Sequence, residues 1–198
     1  NMLRGTASSW SNETVTPDTP NLLAELSGTS YEIVAELELP SSGAATEFGF
    51  RLRELGDQKT IVGFNVAGSK MFVHRGGAGR DGLTENFTAV HEADLTPVNN
   101  RITMRIFVDE SSVEVFGNDG KVVFSEMIFP DSARDGLAFY TKGGNVNVVS
   151  LKVYPLSNIW RDESIAGTVP QKVVMDRRKL ELEAGSTHRL YLRVLPPT

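Results

Sequence analysis

Hydrolysis of a glycosidic bond needs two carboxylates flanking it, roughly 5–5.5 Å apart for retention and roughly 6.5–9.5 Å for inversion. With 25 acidic side chains in 198 residues, chance candidates are inevitable. Asp109 and Glu114 are the most suggestive pair, in Val108-Asp109-Glu110-Ser111-Ser112-Val113-Glu114-Val115-Phe116. The same residues also spell an ordinary strand connection in which Asp109 caps the turn, and that explains them better. A second candidate, His74-Arg75 followed by Gly76-Gly77-Ala78-Gly79-Arg80-Asp81-Gly82, resembles a cradle of bare amides for a phosphate. Such cradles lead from a strand into a helix and carry a Lys, whereas Leu83-Thr84-Glu85-Asn86-Phe87 follows here. A surface loop is the better reading.

His74, His91 and His188 have no paired spacing for a metal, no Gly-x-Ser-x-Gly nucleophile motif is present, and cysteine is absent. No metal site, no cofactor and no catalytic residue is therefore expected. Arg51, Arg53, Arg101 and Arg105 fall at alternating strand positions, predicting a basic stripe that faces Glu32, Glu36 and Glu38. For a carbohydrate, the planar donors and acceptors on offer are Arg51, Arg53, Arg75, Asp109 and Glu114. Neither Trp10 nor Trp160 is bracketed by such groups, and Trp160 is expected to close one end of the core. The sequons Asn12-Glu13-Thr14 and Asn86-Phe87-Thr88 matter only in a eukaryotic secretory route.

These residues must be held by strands. In Tyr31-Glu32-Ile33-Val34-Ala35-Glu36-Leu37-Glu38-Leu39 the odd positions are apolar and Glu32, Glu36 and Glu38 face the other way. Arg101-Ile102-Thr103-Met104-Arg105-Ile106-Phe107-Val108 repeats the pattern with its even positions inward. Phe48 to Arg53, Thr60 to Val66 and Lys70 to His74 read as further short strands. Gly117-Asn118-Asp119-Gly120 and Ala67-Gly68-Ser69 read as hairpin turns, as does Gly143-Gly144 between Leu137–Thr141 and Val146–Tyr154. Roughly ten strands by residue 154, without a convincing amphipathic helix, predict an all-β fold. Their number favours an antiparallel two-sheet β-sandwich over residues 1–160. Polar, proline-ended residues 161–170 read as a linker. Three short strands in 171–198 make a C-terminal β appendage, too small for its own core, that packs on the sandwich or opens a second β-domain.

A net charge of −5 without any basic cluster disfavours nucleic acid, and no apolar run is long enough for a membrane helix. Asn1-Met2-Leu3-Arg4 lacks a signal-peptide profile. Asn ahead of the first Met implies a piece of a longer protein, with any export signal or catalytic domain upstream.

Several segments together resemble the C-terminal sandwich of glycoside hydrolase family 32. They are Glu47-Phe48-Gly49-Phe50-Arg51-Leu52-Arg53, the run from Phe107 to Gly120, and Leu151-Lys152-Val153-Tyr154-Pro155-Leu156-Ser157-Asn158-Ile159-Trp160. After Lys70-Met71-Phe72-Val73 the family often carries Asp-Arg-(Ser/Thr), where this chain has His74-Arg75-Gly76. The resemblance implies that catalysis belongs to an N-terminal five-bladed propeller with Trp-Met-Asn-Asp-Pro-Asn, Arg-Asp-Pro and Glu-Cys motifs, none of which occurs here. It also implies an accessory module of a levanase, inulinase, invertase or sucrose-6-phosphate hydrolase, with the propeller of the same polypeptide as partner and a homodimer as a further option. The alternatives are an independent fructan-binding module and a structural adhesin-like one. Residues 171–198 resemble the opening of a bacterial immunoglobulin-like repeat. That favours the outside of a bacterial cell and leaves a cytoplasmic location open.

Overall fold

A computed structural model describes residues 3–76, 90–131 and 133–157, which lie in one compact unit, Asn1–Trp160. Among the described residues there are eleven strands and no helix. They are β1 (Ser8–Val15), β2 (Tyr31–Glu38), β3 (Glu47–Leu55), β4 (Gln58–Asn65), β5 (Lys70–His74), β6 (Val90–Asp94), β7 (Arg101–Val108), β8 (Ser112–Gly117), β9 (Val122–Met127), β10 (Gly136–Lys142) and β11 (Val146–Pro155). Two antiparallel sheets result, ordered β1-β11-β2-β7-β8-β9 and β10-β3-β4-β5-β6. This is the expected sandwich.

The core follows from the period of two. Ile33, Ala35 and Leu37 of β2 and Ile102, Met104, Ile106 and Val108 of β7 turn inward and are buried. From the other sheet Phe48 packs on Phe64 with ring centroids 5.6 Å apart, and Phe50 on Phe139 at 5.1 Å. One cluster of buried apolar side chains joins the inner faces of both sheets.

The outer face of the five-stranded sheet has a device of its own. Tyr140, Gly49, Gly63 and Phe72 are register neighbours across β10, β3, β4 and β5. A Cβ on Gly63 would lie 2.5 Å from Phe72 Cζ, so that ring rests on the bare glycine. A Cβ on Gly49 would meet the Val62 carbonyl oxygen at 2.2 Å. The glycines let neighbouring backbones and rings close over a place where no side chain fits.

Two of the three expected hairpins form, at 67–69 and 117–120. Asn118, Asp119 and Gly120 take φ of 45°, 59° and 83° between β8 and β9. Asn118 is also a buried clamp. Its Oδ1 accepts from Thr103 N at 2.9 Å and its Nδ2 donates to the Thr96 carbonyl at 3.0 Å.

Two expectations need correction. Gly143-Gly144 is not a hairpin turn: β10 pairs with β3, whereas β11 lies in the other sheet between β1 and β2. The diglycine is a corner between sheets, required because a Cβ on Gly144 would sit 2.4 Å from the carbonyl oxygens of Gly43 and Ala44. Nor do the four arginines form one stripe. Arg101 and Arg105 belong to the six-stranded sheet and Arg51 and Arg53 to the five-stranded one. Arg53 also leaves the alternation, because the β3–β4 register shifts between Leu52 and Leu55 and Arg53 takes φ 53°, which buries its side chain. β1 and β6, both mostly exposed, are strands that no apolar alternation announces. Trp160, the linker 161–170, the segment 171–198, His188, the Asn86 sequon and the loop from Gly77 to Phe87 lie outside the described residues.

Candidate functional site

The five residues singled out as carbohydrate contacts are dispersed. Asp109 sits in the β7–β8 turn. Its Oδ1 accepts from Glu110 N and from Ser30 Oγ, both at 2.8 Å, and its backbone N–H donates to the Ser112 carbonyl. Glu114 is exposed on the outer face of β8, with Phe107 and Ser125 as its register neighbours. Asp109 is thus engaged as a turn cap, and the two carboxylates do not face each other across a cleft.

Arg51 lies outward on the five-stranded sheet, 3.7 Å from Glu54 and with its guanidinium 5.0 Å from the Tyr140 ring centroid. Burial raises the Tyr140 hydroxyl pKa strongly, assisted by its hydrogen bond to Glu47. Arg53 is buried and donates to the Thr29 carbonyl at 3.0 Å and the Asp131 carbonyl at 3.5 Å. Its pKa is lowered, chiefly by burial. It ties β3 to two loops.

Arg75 is a strut between the sheets. Its Nε lies 3.1 Å from Glu126 Oε2, its Nη1 donates to the Met127 carbonyl at 3.1 Å, and His91 Nδ1 stands 2.6 Å from Glu126 Oε1. Glu126 occupies an inward position of β9, where a carboxylate must be paired to be tolerated. A polar residue at an apolar period was the available signal for this cluster.

The residues that do converge are on the outer face of the six-stranded sheet. The register lays out three rows: Tyr154, Glu32, Phe107 and Glu114; then Lys152, Val34, Arg105, Phe116 and Val123; then Ser150, Glu36 and Thr103. Short side chains at Val34, Thr103 and Ser150 make a floor, and longer ones around them make a rim. The result is a concave surface of about 820 Å³.

Its rim is held rigidly. Glu32, fully buried although it faces outward, accepts from Arg4 Nε and Nη2 at 2.5 Å each and from Arg105 Nε at 2.7 Å. Arg4 stacks 4.7 Å from the Tyr154 ring centroid and Arg105 4.8 Å from that of Phe107. Phe107 in turn meets Phe116 edge-on, with centroids 6.1 Å apart. Burial alone would raise the Glu32 carboxyl pKa, but the hydrogen bonds from Arg4 and Arg105 outweigh it and hold it below the usual carboxylate range. Next to this network Arg101 bonds Glu36 at 2.7 Å and Glu38 at 2.8 Å. No group of three or more metal-ligating side chains occurs among the described residues.

Comparison with known proteins gives a consistent answer. Residues 1–155 match the family model described as glycosyl hydrolases family 32 C terminal. The chain is 54% identical over 174 residues to a levanase of Bacillus sp. (strain L7), covering 88% of this chain and 19% of that one. It is 45% identical over 169 residues to the levanase of Bacillus subtilis (strain 168), covering 85% of this chain and 24% of that one. This chain thus spans a quarter or less of the length of these relatives. Among solved structures, the exo-inulinase from Aspergillus awamori superposes with a TM-score of 0.65 at 23% identity, over 79% of this chain and 31% of that one. Fructan 1-exohydrolase IIa from Cichorium intybus gives 0.62 at 17% identity, over 79% and 36%. Those two likenesses establish the sandwich fold. The family match, over more than three-quarters of the chain, shows that this protein belongs to the glycosyl hydrolase family 32 C-terminal domains.

Proposed function

We propose that this chain is the non-catalytic accessory sandwich of a fructan- or sucrose-cleaving glycoside hydrolase, packed on the catalytic propeller of the same polypeptide. The observation that carries this reading is the family match over residues 1–155, joined to sequence relatives named levanases. The dispersal of Asp109 and Glu114 supports it, because one is committed to a turn and the other stands on an open sheet face. The division into residues 1–160, a linker 161–170 and a β segment 171–198 belongs to the same proposal. So does an extracellular or cell-surface location, for which the similarity to an Aspergillus awamori protein named extracellular exo-inulinase is support.

Comparing fructose release from levan, inulin and sucrose by the purified chain and by the longer parent polypeptide tests this. The parent is expected to turn substrate over and the chain alone to release none. Turnover by the chain that vanishes on Asp109→Asn or Glu114→Gln would overturn the proposal.

A second reading, in which the sheet holds carbohydrate independently, gains weight from one observation: the concave outer face of the six-stranded sheet.

A further inference from the structure

We propose that the outer face of the six-stranded sheet is a binding site for a short neutral oligosaccharide, seated over Val34, Thr103 and Ser150. Three properties of the face lead there.

The first is shape. Rows of short side chains flanked by longer ones leave a depression of about 820 Å³ that is open to solvent along the strands. The five-stranded sheet turns its aromatic rings to another use, with Phe72 laid on Gly63 and the Tyr140 hydroxyl tied to Glu47.

The second is charge. Four cations, Arg4, Arg101, Arg105 and Lys152, stand in and beside the depression with four carboxylates, Glu36, Glu38, Asp119 and the underlying Glu32. The surface thus has donors and acceptors in abundance and no net charge to recruit a polyanion such as nucleic acid. A polyhydroxy ligand without charge is what this composition matches. Vicinal hydroxyls accept from cations and donate to carboxylates, and the half-buried rings of Tyr154, Phe107 and Phe116 offer apolar contact to C–H faces.

The third is preorganisation. Arg4 and Arg105 are already locked by Glu32 and stacked on Tyr154 and Phe107, so they lose little side-chain freedom on binding. Lys152 is exposed and makes no ion pair among the described residues, leaving a charged donor at the rim for the ligand. Ser150 and Thr103 add hydroxyls to a floor that Val34 leaves partly apolar.

Choosing fructan among neutral oligosaccharides rests on the accessory reading above; the site itself does not. The test titrates the full 198-residue chain with levan-derived and inulin-derived oligosaccharides, and with cello- and malto-oligosaccharides as a second arm. Calorimetry and amide chemical-shift mapping supply the readouts. Saturable heat is expected with fructo-oligosaccharides, with shifts at Val34, Thr103, Ser150 and Lys152. Ser150→Tyr, which fills the floor, should abolish binding. Lys152→Ala should weaken it about tenfold or more. Lys59→Ala on the other sheet should leave it unchanged, and unaltered thermal melts show that the variants fold.

Glucan binding at this face without fructan binding would support the site and overturn the fructan reading. No binding of any sugar at millimolar ligand, or binding that survives Ser150→Tyr, would overturn the site while leaving the fructose-release comparison to judge the accessory role. Concentration-dependent sedimentation abolished by Ser150→Tyr would assign the face to a second copy of the chain and equally overturn the site.

Discussion

Glu32→Gln is the most informative single change, because it tests whether the ionic cluster on the six-stranded sheet stabilises the fold. Three charge-assisted hydrogen bonds converge on the carboxylate, from Arg4 Nε and Nη2 and from Arg105 Nε. Fully buried, each would be worth about 1.5–3 kcal/mol. The arginine side chains are 27% and 51% exposed, however, so part of their loss is made up by water, and exposed pairs contribute about 0.2–1 kcal/mol. Glutamine keeps one acceptor oxygen but sets its amide donors against a guanidinium. The net cost is then about 2–3 kcal/mol, which for a domain of this size lowers Tm by roughly 5–10 °C.

The pH dependence supplies a second criterion. The folded-state pKa of Glu32 is lowered, so its stabilisation is fully present above the unfolded carboxylate value of about 4.3 and is lost as pH falls through the folded value. Urea unfolding of both proteins at pH 7, 5 and 3 should show a gap that is full at pH 7 and narrower at pH 3. Stabilities within about 0.5 kcal/mol at pH 7, well inside the expected cost, would refute the reasoning. So would a gap undiminished at pH 3.

The other expectations concern backbone fit and internal struts. Gly49→Ala should cost about 3 kcal/mol or more, because its Cβ would meet the Val62 carbonyl, whereas Gly63→Ala should cost less, because the Phe72 ring can move; urea midpoints rank them. Arg53→Lys should lose about 1–2 kcal/mol, since an ammonium cannot reach both the Thr29 and Asp131 carbonyls from one planar fork. Glu126→Ala should destabilise by about 1–3 kcal/mol, because it removes the carboxylate that joins Arg75 and His91 to β9 while Arg75 keeps its bond to the Met127 carbonyl. Unchanged thermal melts would refute either of these last two.

The strands that alternate were legible from the chain, and β2 and β7 are the clearest because each buries one face and solvates the other. β1 and β6 were not, since an edge strand needs little apolar content and both are mostly exposed. The separation of Arg51 and Arg53 from Arg101 and Arg105 was hidden for a different reason: period two tells which way a side chain points but not which sheet it belongs to. Arg53 was further obscured by a bulge that no local pattern announces. The concave face was half visible in the outward residues of β2 and β7. Its other half, Ser150, Lys152 and Tyr154, depends on β11 arriving beside β2 over a separation of more than a hundred residues. Likewise, the burial of Glu32 required Arg4 and Arg105 to close over it from opposite directions.

The diglycine corner bears on how the chain acquires its fold. It sends β11 into the interior of the first sheet, where among the described residues β1 has β11 as its one strand neighbour and β2 keeps an open edge until β11 docks. During synthesis, therefore, the opening strand must wait for residues 146–155 to leave the ribosome before it can pair. That ordering makes closure slow and non-local, and it exposes a bare strand edge to neighbouring nascent chains for as long as translation lags.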